Sequence, residues 1–582
     1  MTLADLEQKS KELKSLVSKY ETSTFLGSLS IVLNFTPSKN KLEFLKGLSS
    51  PYRQLHYLAG LNLTSSVDDS KPLLHSHTDE EWKQITDLLQ EIEFGYMDFF
   101  NPNRVDTTDP SWKQKLMVSM PSFLSYFNQG DLNYEEQIIE RIQTYFKPFE
   151  KLIINAYGLS IEDFVNIYNY IDSIPNKYLD EKLNKHKGGT TWKDFTKDMI
   201  EKQIPPEKWM EHMPQGYKNL FEFLQDEGAA YRFTEQDLSN QFGKDKATQF
   251  LKALTCMRQE DDFLYYTQKN PIYVKPIFRV GIDSYQVLEM KQIIHSIYNL
   301  LFEFCKTLPD NGDKFYKIRG NELENKIMNL FQHFFKGKAH SYKGYYTQDG
   351  HEQDLLFLID GLALIIEAKA SKRNEPKREP DKSYPMIEAN FKETIQKGYD
   401  QAFRVKSKFI NQEILKIYRD SELKDHIIDI RTKNYQNAFS IIVTLEHFGT
   451  IQTDLSALLK KEPNDAYPWS VNIDNLEVLL LFLKKKGLTT STLRQFLILR
   501  ERLHSHLICG DELEVCGGFL AKKITRDIIK SDSVIMTAPD LAGIFDDMYT
   551  YNVLGFKNEK NIDRKKKGGY VVLGDTRHEK SN

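Results

Sequence analysis

Cysteine is scarce in this chain: four residues in 582. That is too few for a disulfide framework and argues against a stapled secreted scaffold, so a reducing cytoplasm is expected. Long apolar runs are missing as well. A membrane-spanning helix needs roughly 18 or more apolar residues in a row, and the longest run here, "VLLLFL" (478–483), ends in three lysines. The opening "MTLADLEQKSKELKSLVSKY" has the pattern of a polar amphipathic helix and lacks the apolar centre of a signal peptide. No membrane partner is expected. Charge of one sign is not in excess either, since 78 basic and 82 acidic side chains leave a net −4. Attraction to a polyanion therefore has to come from a local patch. There is no G-x-x-x-x-G-K-[ST] phosphate loop, which argues against ATP chemistry, and no Ser–His–Asp or Cys–His set stands out.

The chain is rich in aromatics, with 36 Phe and 30 Tyr, and 40% of it is apolar. Its length exceeds one ordinary core, so several domains are expected. Residues 1–230 read as a mainly helical N-terminal domain, with a Lys-, Pro- and Gly-rich stretch at 176–216 as linker or mobile loop. Residues 231–309 read as a connecting region of helix-turn-helix outline with short strands. In "FTEQDLSNQFGKDKATQFLKALTC", Thr234 and Asp237 suit a capping box and Gly243 breaks the helix. Such outlines are common, and two ordinary packed helices are the expectation. Residues 310–470 read as mixed α/β. Residues 471–582 read as a helical C-terminal region ending in the basic "NEKNIDRKKKGGY". Within it, His504, His506, Cys509 and Cys516 lack the tight paired spacing of a structural zinc site, and a helix, turn and helix are expected there.

The informative stretch is "QDLLFLIDGLALIIEAKA" (353–370). Asp360-Gly361 between apolar runs predicts a two-residue type I′ hairpin. In that register Ile359 faces Leu362, Phe357 faces Leu364, Asp354 faces Glu367, and Glu352 faces Lys369. Directly opposed residues have Cβ atoms about 4.5–5.5 Å apart, where like charges destabilise a sheet. A hard cation between Asp354 and Glu367 supplies a reason for the pair, with the Lys369 ammonium alongside. The other reading is an ion-paired strand end. Glu-x-Lys alone says little, because it recurs at 7–9, 12–14, 81–83 and 289–291, but those copies sit in polar helical contexts.

Upstream, "RGNELENKIMNLFQHFF" (319–335) predicts a helix whose buried stripe is Leu323, Ile327, Met328, Phe331, Phe334 and Phe335. Glu324 lies at the edge of that stripe and can approach the Asp354–Glu367 site, whereas Glu322 faces solvent. Its other reading is a helix N-terminal acid favoured by the macrodipole. Downstream, a helix is predicted over 386–410, with Gln401, Arg404, Lys406 and Lys408 on a polar, basic side suited to phosphates. The loop before it carries Lys372 and Arg373.

Helix with Glu324, then Asp354, then Glu367-Ala368-Lys369, then a helix with Gln401 resembles the PD-(D/E)XK nuclease superfamily, nearest its Mrr-like and related bacterial defence branches. The resemblance covers about residues 310–450. It implies an α/β fold, a restriction-endonuclease-like αβββαβ core flanked by mainly α-helical N- and C-terminal regions. The activity it implies is phosphodiester hydrolysis with Mg²⁺ or Mn²⁺, most simply by a DNA endonuclease of bacterial defence, with RNA as the other admissible substrate. Asp354, Glu367 and Glu324 would be the metal ligands. Lys369 would orient or activate the attacking water, and Gln401 would support it. Lys372, Arg373, Arg404 and Lys408 would contact nucleic acid. Gln353 stands where the family name has Pro. Double-strand cutting needs two sites, so a homodimer is expected, and a defence setting adds a partner protein. The alternative is a catalytically inactive nucleic-acid-binding or scaffold protein that keeps the fold.

Overall fold

The computed structural model describes residues 3–35, 48–67, 70–104, 106–127, 129–130, 132–179, 192–215, 218, 226–309, 312–530, 533–557 and 559. The basic run at 563–569 and part of the 176–216 stretch lie outside them. The chain divides into two compact units. One contains Met1–Gly95 and Ile138–Cys305; the other contains Tyr96–Gln137 and Lys306–Lys560. Each unit is assembled from separated segments of the chain. Among the described residues, no helix is long and apolar enough to cross a membrane.

The first unit is mainly helical. Around helix α1 (Ile161–Leu179) it places β1 (Arg232–Phe233), α2 (Glu235–Phe242), α3 (Lys244–Leu254), β2 (Thr255–Cys256), β3 (Ile277–Arg279) and β4 (Tyr285–Val287). The strands form one sheet in the order β1-β4-β3-β2. Thr234 and Asp237 make the reciprocal capping box, and Gly243 turns the chain at φ +89. The helix pair therefore belongs to a small α/β unit and is not a connector. Nor is 192–212 a linker: it is helical over Trp192–Glu201 and Trp209–His212, and Phe195, Met199 and Met213 are buried together.

The second unit is built on a seven-stranded sheet. Helix α4 (Gly312–Phe334) leads into β5 (His340–Thr347), β6 (Glu352–Ile359) and β7 (Leu362–Lys369). Then come α5 (Pro380–Phe391) and α6 (Lys397–Asn411), joined through a π-helical turn at Lys392–Gln396. Strands β8 (Ile414–Tyr418), β9 (His426–Arg431), β10 (Asn437–Thr444) and β11 (Trp469–Asn472) follow, then α7 (Ile473–Lys485) and α8 (Thr490–Leu503). The spatial order is β11-β10-β7-β6-β5-β8-β9. Strand β10 is parallel to β7 and to β11, and the other neighbours are antiparallel.

The predicted hairpin forms in the predicted register, from Ile359 opposite Leu362 to Leu355 opposite Ile366. Asp360 at φ +47 and Gly361 at φ +75 both adopt the left-handed conformation that a type I′ turn requires. Its strands are apolar without alternation because both faces are covered. On one face Phe331 of α4 lies 5.2 Å from Phe357, ring to ring. On the other, Ala402, Val405 and Phe409 of α6 pack with Leu356, Leu358, Ala363 and Ile365. Each such buried side chain contributes about 1.5–3 kcal/mol.

Candidate functional site

The hairpin ladder ends at Leu355–Ile366, while the pairing of each strand on its outer edge continues past that point. Strand β7 runs on beside β10, with Glu367 opposite Ile442 and Lys369 opposite Thr444. Strand β6 runs on beside β5, with Gln353 opposite Tyr345 and Glu352 opposite Tyr346. Side chains fill the opening between them. The Asp354 amide donates to Glu367 Oε1 at 3.4 Å, and the Ala368 amide donates to Asp354 Oδ2 at 2.7 Å. Lys369 Nζ lies 3.0 Å from Glu367 Oε2 and 3.4 Å from Asp354 Oδ2. Asp354, Glu367 and Lys369 are therefore brought together as expected. The expected Glu352–Lys369 pairing does not form, since Glu352 has gone with β5 and is exposed.

Glu367 is 0% exposed. Burial, then the Asp354 charge, pushes its carboxyl up to about 8 against the pull of Lys369. Burial acts to lower Lys369, but the two carboxylates outweigh it and hold the ammonium above its ordinary range. Room for this lysine comes from α6. A Cβ on Gly398 would sit 3.3 Å from Lys369 Cε and 3.0 Å from Ile442. Gln401, one turn on, is half-buried, and its Oε1 is buried without a partner.

The same face carries polar groups that the sequence reading missed. Tyr345 is 0% exposed and its hydroxyl has no hydrogen-bond partner. Burial, then the charges of Glu367 and Asp354, pushes its phenol far up. It reaches this face because Gly344, at φ +59, interrupts the pleat of β5. Tyr342 and Tyr345, three residues apart, then pack in the same cluster. A glycine inside a strand marks such a break, and that was the available signal. Gln353, where the family name has Pro, is buried with neither side-chain atom bonded, and strand alternation turns it to the other face, with Leu355 and Phe357.

Glu324 of α4 is ion-paired with Lys343, whose Nζ lies 3.4 Å from its Oε2. Burial and then the Asp354 charge raise its carboxyl, so it stands within electrostatic reach of the pair. Among the described residues no group of three or more His, Cys, Asp or Glu side chains is arranged to hold a metal. Of the expected nucleic-acid contacts, Lys372 is exposed. Arg373 instead reaches inward to the Ser122 and His447 carbonyls and Ser125 Oγ, and burial pulls its guanidinium down to about 10. Lys408 is 9% exposed and binds Thr347 Oγ1 at 2.7 Å and Asp349 Oδ2 at 2.6 Å. Arg404 is half-buried, with Nε unpartnered. Lys406 is buried too, 2.6 Å from Asp465. The supposed basic side of α6 is thus covered by chain distant in sequence. His504 is buried and accepts from the Leu455 amide at 3.1 Å, while Cys509 and Cys516 are buried free thiols.

No family model, no curated protein and no solved structure matches this chain.

Proposed function

We propose that the second unit is a divalent-cation-dependent nuclease that hydrolyses phosphodiester bonds, as a DNA endonuclease in bacterial defence. One observation carries the reading: β6 and β7 part where Asp354, Glu367 and Lys369 meet at 3.0–3.4 Å. The chain order α4-β5-β6-β7-α5-α6-β8-β9-β10, in which β10 returns parallel to β7 after the β8–β9 insertion, supports a restriction-endonuclease-like core.

The donor set suits Mg²⁺ or Mn²⁺, hard cations that take oxygen ligands and often only one or two carboxylates. Asp354 and Glu367 would hold the ion, with the unpartnered Gln401 Oε1 and Tyr345 hydroxyl close by. Such an ion supplies Lewis-acid polarisation of a phosphoryl oxygen. The rest falls to the chain. Lys369 presents a buried ammonium where negative charge builds on the phosphate, and in a low-dielectric site that charge counts for more than in water. Covered strands on both faces keep bulk water out, so the splayed end is where substrate enters. Exposed Lys372 would meet the phosphate backbone, and a second copy would supply the other cut of a duplex.

The second reading is a non-catalytic nucleic-acid-binding or scaffold protein. The commitment of Arg373 and Lys408 to internal partners favours it. Plasmid cleavage with Mg²⁺ or Mn²⁺ separates the two readings. Nicking or linearisation by the wild type, lost in Asp354→Ala and Lys369→Ala, is the expected result. Cleavage surviving both substitutions removes this site from the chemistry, and binding without cleavage establishes the scaffold.

A further inference from the structure

Lys369 stands where a cation would. Its ammonium touches both carboxylates, so a divalent ion can reach Asp354 and Glu367 only if that ammonium leaves. Two buried polar atoms on the elements around it, one on β5 and one on α6, have no partner while it stays. The Tyr345 hydroxyl is a donor with nothing to donate to, and Gln401 Oε1 is an acceptor with nothing to accept. A buried polar atom left unbonded costs about 1–3 kcal/mol, so two of them mark a state that is not the fully satisfied one.

We propose that Tyr345 is a positioning residue for the carboxylate pair and that it takes over from Lys369 when the ammonium swings to Gln401. The inference rests on reading the site as cation-dependent. Lys369 Cε lies beside Gly398, which offers no side chain in the way. Gln401 follows Gly398 by three residues, on the same side of α6. An ammonium has three donors and no acceptor, so the bare Gln401 oxygen is a landing point for it. A carboxylate accepts at about four positions, and Glu367 uses two of them for Lys369 and the Asp354 amide. The phenol then fills the place that the ammonium vacates. It holds Glu367 in orientation while the carboxylate's outer side faces the ion. Gly344 is what turns Tyr345 to this face.

The test is a Mn²⁺ titration of the full chain by calorimetry, run beside thermal melting without the ion. Variants are Tyr345→Phe, Gln401→Leu, Lys369→Met and Asp354→Asn. Wild type binds Mn²⁺. Asp354→Asn loses at least tenfold in affinity. Lys369→Met, freed of its internal competitor, gains about tenfold while losing cleavage. Tyr345→Phe and Gln401→Leu each lose three- to tenfold in affinity, with melting temperatures equal to or above wild type, because each removes an unbonded buried polar atom. Unchanged affinity in Tyr345→Phe overturns the positioning role, and unchanged or weaker affinity in Lys369→Met overturns the swing, both with the cation reading intact. A wild type that binds Mn²⁺ no better than Asp354→Asn overturns the cation reading itself, and this inference with it.

Discussion

Helices α4 and α6 cover opposite faces of the same sheet, and they do so in different ways. On the α4 face Leu323, Ile327, Phe331 and Phe334 are buried, and Glu324 keeps a half-exposed partner, Lys343. On the α6 face Gly398 makes room for Lys369, Lys408 binds Thr347, and Gln401 Oε1 is buried without a partner. The first is lined mainly by aliphatic and aromatic side chains. The second carries the Asp354–Glu367–Lys369 cluster and, with it, the unbonded Tyr345 hydroxyl and Gln401 Oε1. Under the proposed function the chemistry therefore belongs to the α6 face and stability to the α4 face.

The sharpest way to break this contrast is to damage each face in turn. Lys369→Ala is expected to lower cleavage by about 10²–10³-fold, the scale of removing one charge-stabilising group. Phe331→Ala is expected to cost about 3–5 kcal/mol of stability while activity per folded molecule stays within about threefold. Denaturant melts and single-turnover cleavage on the same preparations check both.

Glycines sharpen the contrast further. Gly398→Ala puts a methyl against Ile442 and Lys369, which should cost about 1–3 kcal/mol and lower cleavage about tenfold. On α4, a Cβ at Gly320 meets nothing within 4 Å. Gly320→Ala should therefore stabilise by about 0.4–1 kcal/mol and leave cleavage alone.

The smallest effect is in pH, and it has opposite signs on the two faces. Asp349 is pushed up by burial, but Lys408 and Thr347 outweigh that and hold it at about 2. Its stabilisation is present above the unfolded value near 3.8 and is lost as pH falls toward 2. That amounts to about 1 kcal/mol once solvent screening of a pair one-third exposed is allowed for. Glu324 is raised by burial and Asp354. Its favourable contribution is present below pH 4.5 and is lost as pH rises through its folded value. Stability curves for Asp349→Asn and Glu324→Gln should therefore meet wild type at the acid end and part from it in opposite directions as pH rises, Asp349→Asn falling below it and Glu324→Gln rising above it.

The hairpin was legible because its evidence is local. Asp360-Gly361 admits one register, and that register carries Asp354 to Glu367. The parting of β6 and β7 was not legible, since each strand is also held on its outer edge, β6 by β5 and β7 by β10, and β10 lies about 70 residues further on. Lys406 and Lys408 misled for a related reason. A helical wheel shows which residues share a side, but not that Asp465 or Asp349 will cover it. Strands β8 and β9 were missed although "ILKIY" alternates exposed and buried along β8. Tyr345 was hidden by Gly344, which breaks the alternation on which a strand reading relies.

The most direct test of the central claim compares two glutamates, one on each face. Mn²⁺ affinity measured for Glu367→Gln and Glu324→Gln should fall at least tenfold for the first and stay within twofold for the second. Equal losses, or a larger loss in Glu324→Gln, would contradict the assignment of the cation site to the α6 face.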